Sequence, residues 1–472
     1  MYRKVASYID AVSYINDVPK FTSKTSLEHT EKILAAMGHP EEGLRVLHVA
    51  GTNGKGSVCA DMDAMLRAAG YHVGLFTSPH LVRINERFRI DGREVSDEDF
   101  LRAFREVMKA SEQVMREGEP HPTYFEILFL MGIWLFREAQ VEYTVLEVGM
   151  GGRLDATNVI RRPLISVITS VSLDHMQYLG GTIPEIAGEK AGIIKPGVPV
   201  VYDAGRPEVS RVIEEKARKA GSPAYPLFPD TVRIREITEN GAVFSLSDVP
   251  PCKAGGEGPA CGYGEKELLL RIPQIAPYQV RNAALAWAAL QILQEEIPAE
   301  REVLAEGLAA VSWPCRMQEV ESGVYIDGAH NPDGIACFLE AAEIFHREKE
   351  ITLLFSAVRD KDYGQMVKEL ASLHPERVVT TQIRDVRAVS EEELAVLFRQ
   401  EGCAAVYSER EPEEAYRFAK KLRGNGFLFC VGSLYLAGEL LQAAKKAESG
   451  TVEERHRKAA NTSGKRRRKH EF

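Results

Sequence analysis

The sequence predicts an α/β protein: a P-loop-containing, doubly wound N-terminal domain and a smaller, Rossmann-like α/β C-terminal domain. Three observations predict it. Short apolar runs alternate with helical periodicity from Arg45 to about Tyr202, the alternation resumes after Trp313-Pro314, and the first run empties into a glycine-rich loop. Strands buried on both faces of a parallel sheet read as near-continuous apolar runs. Val46–Ala50, Val73–Phe76, Tyr143–Val148, Leu164–Thr169 and Val198–Tyr202 fit that pattern, with helices expected over Phe100–Glu117, Phe125–Ala139 and Ile183–Ile194. Thr231–Ile272 reads as a β-rich excursion, with a mobile loop at Pro250–Gly264, and Val280–Glu295 as a helix with a wide alanine face. The second region alternates strand Val324–Ile326, helix Gly334–Phe345, strand Ile351–Ser356, helix Gln365–Ser372, strand Arg377–Thr381, helix Glu391–Arg399 and strand Gly426–Val431. These readings divide the chain into an N-terminal domain (1–311), a linker (312–317), a C-terminal domain (318–445) and a basic tail (446–472).

The first strand leads into Gly51-Thr52-Asn53-Gly54-Lys55-Gly56-Ser57, with a helix expected from near Ser57 to about Ala69. A strand, a glycine turn and a helix start aim unpaired N–H groups and a positive dipole end at one spot, which suits a polyphosphate. Lys55 adds a point charge for the terminal phosphates, and Ser57 or Thr52 can put a hydroxyl on magnesium. Gly56, between the lysine and the serine, departs from the usual P-loop spelling. Glycines in a loop can also be plain turn chemistry. The strand before, the helix after and the embedded lysine favour a nucleotide phosphate site.

Composition narrows the class. At 472 residues, two or three domains are expected. Hydrophobic residues at 44%, charged residues at 27% and no bilayer-length apolar run describe a soluble globular protein. Met1–Asp10 lacks a signal-peptide core, so cytoplasmic residence is expected. The seven cysteines are scattered and include no C-x-x-C pair, which argues for free thiols rather than a zinc site or disulfide framework. A net charge of −9 gives no general attraction to nucleic acid, and the basic cluster Lys465–Lys469 reads as a solvated terminus.

Further polar groups gather where strands end, which is where open α/β sheets bind ligands. Glu147 closes a buried strand and enters Gly149–Asn158; it fits a hard-cation ligand or a cap for the next turn. Thr77-Ser78-Pro79-His80 and Asn85-Glu86-Arg87 follow the second strand, as a site or as ordinary surface polarity. Thr169–His175 ends the next strand, with Asp174 beside His175 and Lys190 one helix later among apolar residues. Such a lysine either meets an anion or is carbamylated, the negative form being able to bridge to magnesium. In the second region Asp327–Pro332, Arg359–Asp362 and Gly432–Tyr435 should share one sheet edge, and would suit a small charged substrate.

Taken together, HVAGTNGKGS (His48–Ser57), TSPHL (Thr77–Leu81), Asn85-Glu86-Arg87, EVGMGGRLDATN (Glu147–Asn158), Asp174-His175, EKAGI (Glu189–Ile193), Asn282-Ala283-Ala284, DGAHNP (Asp327–Pro332) and GSLYL (Gly432–Leu436) resemble folylpolyglutamate synthase, with or without dihydrofolate synthase activity, in the Mur ligase superfamily. The resemblance implies ATP-dependent joining of L-glutamate to a folate-type carboxylate through an acyl phosphate. It places Thr52, Asn53 and Gly54–Ser57 on the ATP phosphates, and Asn282, Arg316 and Asp327 elsewhere on ATP. Ser57, Ser78, Glu147, His175 and a carbamylated Lys190 would hold two magnesium ions. Lys55, His175, Lys190 and His330 would be catalytic; Arg87, Asp155, His330 and Ser433 would meet the substrates. The partners implied are small molecules (a folate or dihydropteroate, glutamate and ATP) and the chain would be a monomer, without nucleic acid or membrane.

Three departures stand out. Cys315 occupies the position of a usual glycine before the linker arginine, Ile275–Gln279 lacks the expected glycine and histidine, and Pro250–Gly264 is longer than expected. A peptidoglycan Mur ligase would need a uridine-nucleotide domain ahead of the P-loop, and too few residues precede Val46. A non-catalytic nucleotide switch would not need the second-region polar loops. GGRLDATN resembles forms in enzymes that carry out both folate reactions, which favours bifunctionality.

Overall fold

The structure, a computed structural model, describes residues 5–19, 26–247, 269–345 and 349–445; the Pro250–Gly264 loop and the 446–472 tail lie outside the described residues. The chain divides into two compact units, Met1–Trp313 and Pro314–Phe472.

The first unit is built on an eight-stranded sheet. Its strands are β1 (Val46–Ala50), β2 (Val73–Phe76), β3 (Phe88–Ile90), β4 (Arg93–Glu94), β5 (Tyr143–Glu147), β6 (Ile165–Ile168), β7 (Val200–Asp203) and β8 (Ala224–Leu227), in the order β4-β3-β2-β5-β1-β6-β7-β8. The strands from β2 to β8 are parallel, as the alternating pattern predicts. Beyond β2 the sheet turns antiparallel through β3 and β4, which are short and carry arginines, so no apolar run marked them. Central β1 is buried along its whole length because both its faces are covered. Leu47 and Val49 join one apolar cluster and Val46 the other, the period-two split of a strand.

On the first face, the Lys55–Ala68 helix packs against the sheet on one side and against the Pro277–Ile292 and Arg301–Ala309 helices on the other. Small residues allow this. A Cβ on Gly307 would lie 2.7 Å from the Ala64 carbonyl oxygen, and the alanines of Pro277–Ile292 are buried. A three-stranded antiparallel sheet, β9 (Val232–Thr238), β10 (Gly241–Leu246) and β11 (Leu269–Ile272), adds Ala242, Phe244 and Leu270 to that core, the β-rich excursion foreseen. The opposite face is covered by helices Tyr8–Asp17, Leu27–Ala36, Asp97–Arg116 and Tyr124–Glu138. The segment expected as one helix over Ile183–Ile194 is an α-helix over Ile183–Lys190 that tightens into a 3-10 turn at Ala191–Ile193.

The second unit holds a six-stranded sheet of β12 (Gln318–Glu321), β13 (Val324–Ile326), β14 (Ile351–Phe355), β15 (Arg377–Thr380), β16 (Val406–Ser408) and β17 (Phe427–Val431), in the order β12-β13-β17-β14-β15-β16. All pairs are parallel except the antiparallel β12–β13 edge. Its helices are Pro332–Phe345, Tyr363–Ala371, Glu391–Gln400, Pro412–Leu422 and 434–445.

One buried ion pair ties two of the first unit's helices together. His29 Nδ1 lies 2.8 Å from Glu126 Oε1, which also accepts from the Thr30 hydroxyl at 2.8 Å. The hydrogen bond that His29 donates to Glu126 raises the His29 pKa above its ordinary 6.5. Burial alone would raise Glu126, but His29, the Thr123 N–H and Thr30 outweigh it and bring the carboxyl from 4.5 down to about 2. The raised histidine stabilises the fold fully below pH 6.5 and loses that contribution as pH rises through its folded pKa. The depressed carboxylate contributes above 4.5 and loses its contribution as pH falls toward 2. The pair is therefore strongest between those two values. Glu126→Gln should cost about 3 kcal/mol of stability near pH 5.5 and clearly less near pH 9, measured by thermal unfolding at both; an equal loss at both would contradict the pairing.

Candidate active site

The Lys55–Ala68 helix starts two residues earlier than its sequence suggests, because Gly54 (φ 86°) turns the chain directly into the first helical turn. No side chain caps that start. The Tyr124–Glu138 helix differs: Thr123 and Glu126 close a full capping box there. The bare first-turn N–H groups of Lys55–Ala68 are thus open to a ligand. Glycine at 54 is required twice over, by its left-handed backbone and because a Cβ would lie 2.3 Å from Asn282 Oδ1. At Gly56 a Cβ would meet the Trp313 ring at 2.9 Å.

The loop is held rigidly by the end of β6. Thr52 N–H donates to the Ser170 carbonyl at 2.7 Å, and Asn53 pairs with Ser170 in an isolated bridge. The Thr52 hydroxyl donates to the Ser172 carbonyl and accepts from its N–H, while the Thr169 hydroxyl donates to the Asn53 carbonyl at 2.6 Å. Lys55 Nζ folds back onto the Gly51 and Thr52 carbonyls, both at 3.2 Å. Lys190 is buried, and its Nζ donates to the Gly51 carbonyl at 2.8 Å. Ser57 is 2% exposed, and its Oγ has no hydrogen-bond partner among the described residues.

Neighbouring strands bring further groups to the same sheet edge. Glu147, at the end of β5, accepts the Ser78 N–H at 2.8 Å through Oε2, so two of the foreseen residues meet directly. Burial pushes the Cys59 thiol well above its usual range, with Glu147 adding to the shift and Lys55 opposing it. Both charges therefore act on the first turns of the helix. His175 lies past β6 with φ 49°; its side chain is 29% exposed and its Nε2 is 3.9 Å from Asp174 Oδ1. Ser78, Glu147, Ser57 and His175 thus follow four adjacent strands, β2, β5, β1 and β6. Among the described residues, no group of three or more His, Cys, Asp or Glu side chains forms a metal cluster.

Arg87 and Asp155, foreseen as substrate residues, occupy different surroundings. Arg87 Nε donates to His80 Nδ1 at 2.9 Å, and its guanidinium lies 5.7 Å from the Tyr124 ring centroid. Asp155 organises its own loop. Oδ2 accepts the Met150 N–H, while Oδ1 accepts the Thr157 N–H at 3.1 Å and the Thr157 hydroxyl at 2.6 Å. That hydroxyl in turn accepts from His48 Nε2 at 2.9 Å. Burial, aided by Lys195, lowers His48 to about 3, so it is neutral and serves as a strut between β1 and the Gly149–Asn158 loop.

In the second unit Arg316 sits between two left-handed residues, Cys315 (φ 56°) and Met317 (φ 48°). Cys315 therefore adopts the conformation that a glycine there would take without strain. Asp327 accepts the Met317 N–H at 2.7 Å and the Ala329 N–H at 2.8 Å, which folds the loop carrying His330. His330 Nδ1 is 2.8 Å from the Gly328 carbonyl. Ser433 is buried; its Oγ accepts the Tyr435 N–H at 3.1 Å. Asn282 lies in the first unit, donating to Gln279 Oε1 at 3.1 Å. The role of Thr169, Ser170 and Ser172 in pinning the Gly51–Ser57 loop was not foreseen; a hydroxyl-rich strand end is the signal that could have shown it.

Comparison with known proteins agrees with this architecture. The Mur ligase middle domain matches residues 49–290, and the Mur ligase glutamate ligase domain matches residues 315–434. The Bacillus subtilis dihydrofolate synthase/folylpolyglutamate synthase is 34% identical over 93% of this chain and 99% of its own length. Mycobacterium tuberculosis folylpolyglutamate synthase, solved with ADP and AMPPCP, superposes with TM-score 0.81 at 28% identity, covering 94% of this chain and 98% of that one. The Escherichia coli FolC complex with DHPP and ADP gives TM-score 0.79 at 26% identity, covering 94% and 99%. An uncapped glycine-rich helix start, two matched domains and relatives aligned over nearly the whole chain lead to one assignment: the chain belongs to the folylpolyglutamate synthase/dihydrofolate synthase family of Mur ligases.

Proposed function

We propose that this ATP-dependent ligase joins L-glutamate to both dihydropteroate and reduced folates, with the phosphate loop activating the carboxylate and the second unit's loops receiving the amino acid. The observation that carries the reading is the bare start of the Lys55–Ala68 helix beside the buried, orphaned Ser57 hydroxyl. A carboxylate is a poor electrophile because its leaving group would be oxide. Its oxygen attacks the γ-phosphorus, the bond to the bridging oxygen breaks, and ADP departs. The glutamate amine then adds to the acyl phosphate carbon, loses a proton, and the adduct collapses to an amide and inorganic phosphate. This chain's part is positioning and charge neutralisation. The first-turn N–H groups and Lys55 grip the phosphates, Arg87 and the Gly149–Asn158 loop shaped by Asp155 orient the acceptor, and His330, Lys361 and Ser433 meet the glutamate.

The donor set fits magnesium, which takes one or two carboxylates and keeps phosphate and water as its remaining ligands. Ser57 and Ser78 would hold one ion, and Glu147, His175 and Lys190 a second. When bound, the ions would neutralise charge on the phosphoryl group in transfer. Lys190 would act there as a carbamate, formed when its neutral amine adds to carbon dioxide and releases a proton; its burial and its place at Gly51 support this. The reading includes a cytoplasmic monomer working on small molecules, without nucleic acid or membrane. The net charge of −9 supports the former, and among the described residues no helix is long and apolar enough to cross a membrane.

Radiolabelled glutamate offered with dihydropteroate and, separately, with a reduced folate should be incorporated into both. Label in the folate alone would make the enzyme monofunctional, and label in neither would overturn the reading. Lys55→Ala and His175→Ala should each lower turnover by on the order of 100-fold or more with little change in unfolding temperature. Parental rates would remove the role. Ser57→Ala deletes an unsatisfied buried hydroxyl, so the free protein should be as stable or up to about 1 kcal/mol more stable, while magnesium–nucleotide should raise its Tm less than in the parent. An undiminished shift would remove Ser57 from the ion. Lys190→Ala activity should be partly restored by acetate, which supplies the missing carboxylate; a lysine acting as an ammonium would show no such rescue.

A further inference from the structure

We infer that Arg387 is a positioning residue for the glutamate pocket, locking together the three loops at the carboxyl edge of the second unit's sheet. The inference rests on the reading that this edge receives the amino acid. Strands β17, β14 and β15 are consecutive neighbours in the sheet, and each leaves a loop at that edge. The β14 loop carries Asp360 and Lys361, the β15 loop carries Asp385 and Arg387, and the β17 loop carries Ser433 and runs into the 434–445 helix, whose first turn carries Tyr435.

The Arg387 guanidinium reaches all three. Nε and Nη2 donate to Asp385 Oδ1 and Oδ2, each at 3.0 Å, a bidentate fork. Nη1 lies 3.3 Å from Asp360 Oδ2, one residue before Lys361. Nη2 also donates to the Tyr435 hydroxyl at 3.2 Å, and the guanidinium lies 5.7 Å from that ring's centroid. Tyr435 returns the link to Ser433, whose Oγ accepts its N–H. The backbone reinforces the arrangement: Arg359 N–H donates to the Arg387 carbonyl at 2.8 Å, and Val358 bridges Ala388.

Two features separate this role from ordinary surface pairing. The side chain is 24% exposed and its partners Asp385 and Asp360 are 14% and 20% exposed, so water screens the network weakly. The donors are also committed to protein acceptors on the segments that follow three different strands, two of them loops and one the start of the 434–445 helix, so Arg387 acts through the groups it places. A lysine would keep the charge but lose the planar fork that serves Asp385, Asp360 and Tyr435 together.

Steady-state kinetics on the full chain tests this, with Lys361→Ala and Ser433→Ala as references. Arg387→Lys should raise KM for glutamate by about tenfold or more while KM for ATP and Tm stay near parental, since a displacement of about 1 Å can cost on the order of 100-fold. Tyr435→Phe, a milder change, should shift the same constant in the same direction. A parental KM for glutamate in Arg387→Lys, with Lys361→Ala still raising it, would overturn the inference alone. Parental values in both reference variants would overturn the glutamate reading of this edge and the inference with it. Losses that affect all substrates together and follow Tm would also overturn it, because Arg387 would then be general scaffold.

Discussion

The fold turns on one helix start left without a cap. The Lys55–Ala68 helix is buried from Ser57 to Leu66, while its first turn at Lys55 and Gly56 is only partly buried and leaves its N–H groups without a capping side chain. Gly54 removes the side chain that would otherwise cap them, and its left-handed conformation aims them at the loop's mouth. A helix start with uncapped donors and a positive dipole end favours an anionic acceptor.

Much of the surrounding structure keeps that start in place. Asn282 presses on Gly54 and Trp313 on Gly56, while Gly307 lets a neighbouring helix approach along the alanine face. Across the loop, Thr169, Ser170 and Ser172 take up its free backbone groups. The polar residues of the site then fall into two kinds. In the first unit His48, Thr157 and Asp155 spend hydrogen bonds on the protein and shape the Gly149–Asn158 loop. Ser57 leaves its hydroxyl unsatisfied within the described residues, and a buried group of that kind calls for a ligand.

The second unit uses a different device. Its edge is held by carboxylates and one arginine, with Asp327 folding one loop through backbone N–H groups and Arg387 joining the segments that follow β14, β15 and β17. Cys315 and Met317, both left-handed, set Arg316 between them. Two non-glycine residues with positive φ on either side of it store local backbone strain.

The amino-acid sequence by itself determined the order and kind of the main elements, since burial on two faces writes itself as apolar runs and alternating periodicity. Val46–Ala50, Val73–Phe76 and Val324–Ile326 have in the structure the bounds read from sequence. It also singled out the Gly51–Ser57 loop, because a strand, glycines, a lysine and a helix lie within one short stretch. Tertiary structure alone decided what depends on strand order: that β5 lies between β1 and β2 and so delivers Glu147 to Ser78, that Ser170 pins Thr52 across 118 positions, and that Arg387 reaches Tyr435. Short polar strands such as β3, β4 and β12 were also left to it, because they bury too little to leave a pattern. Local chemistry is written in neighbouring residues; pairings between distant ones exist only once the sheet has chosen its neighbours.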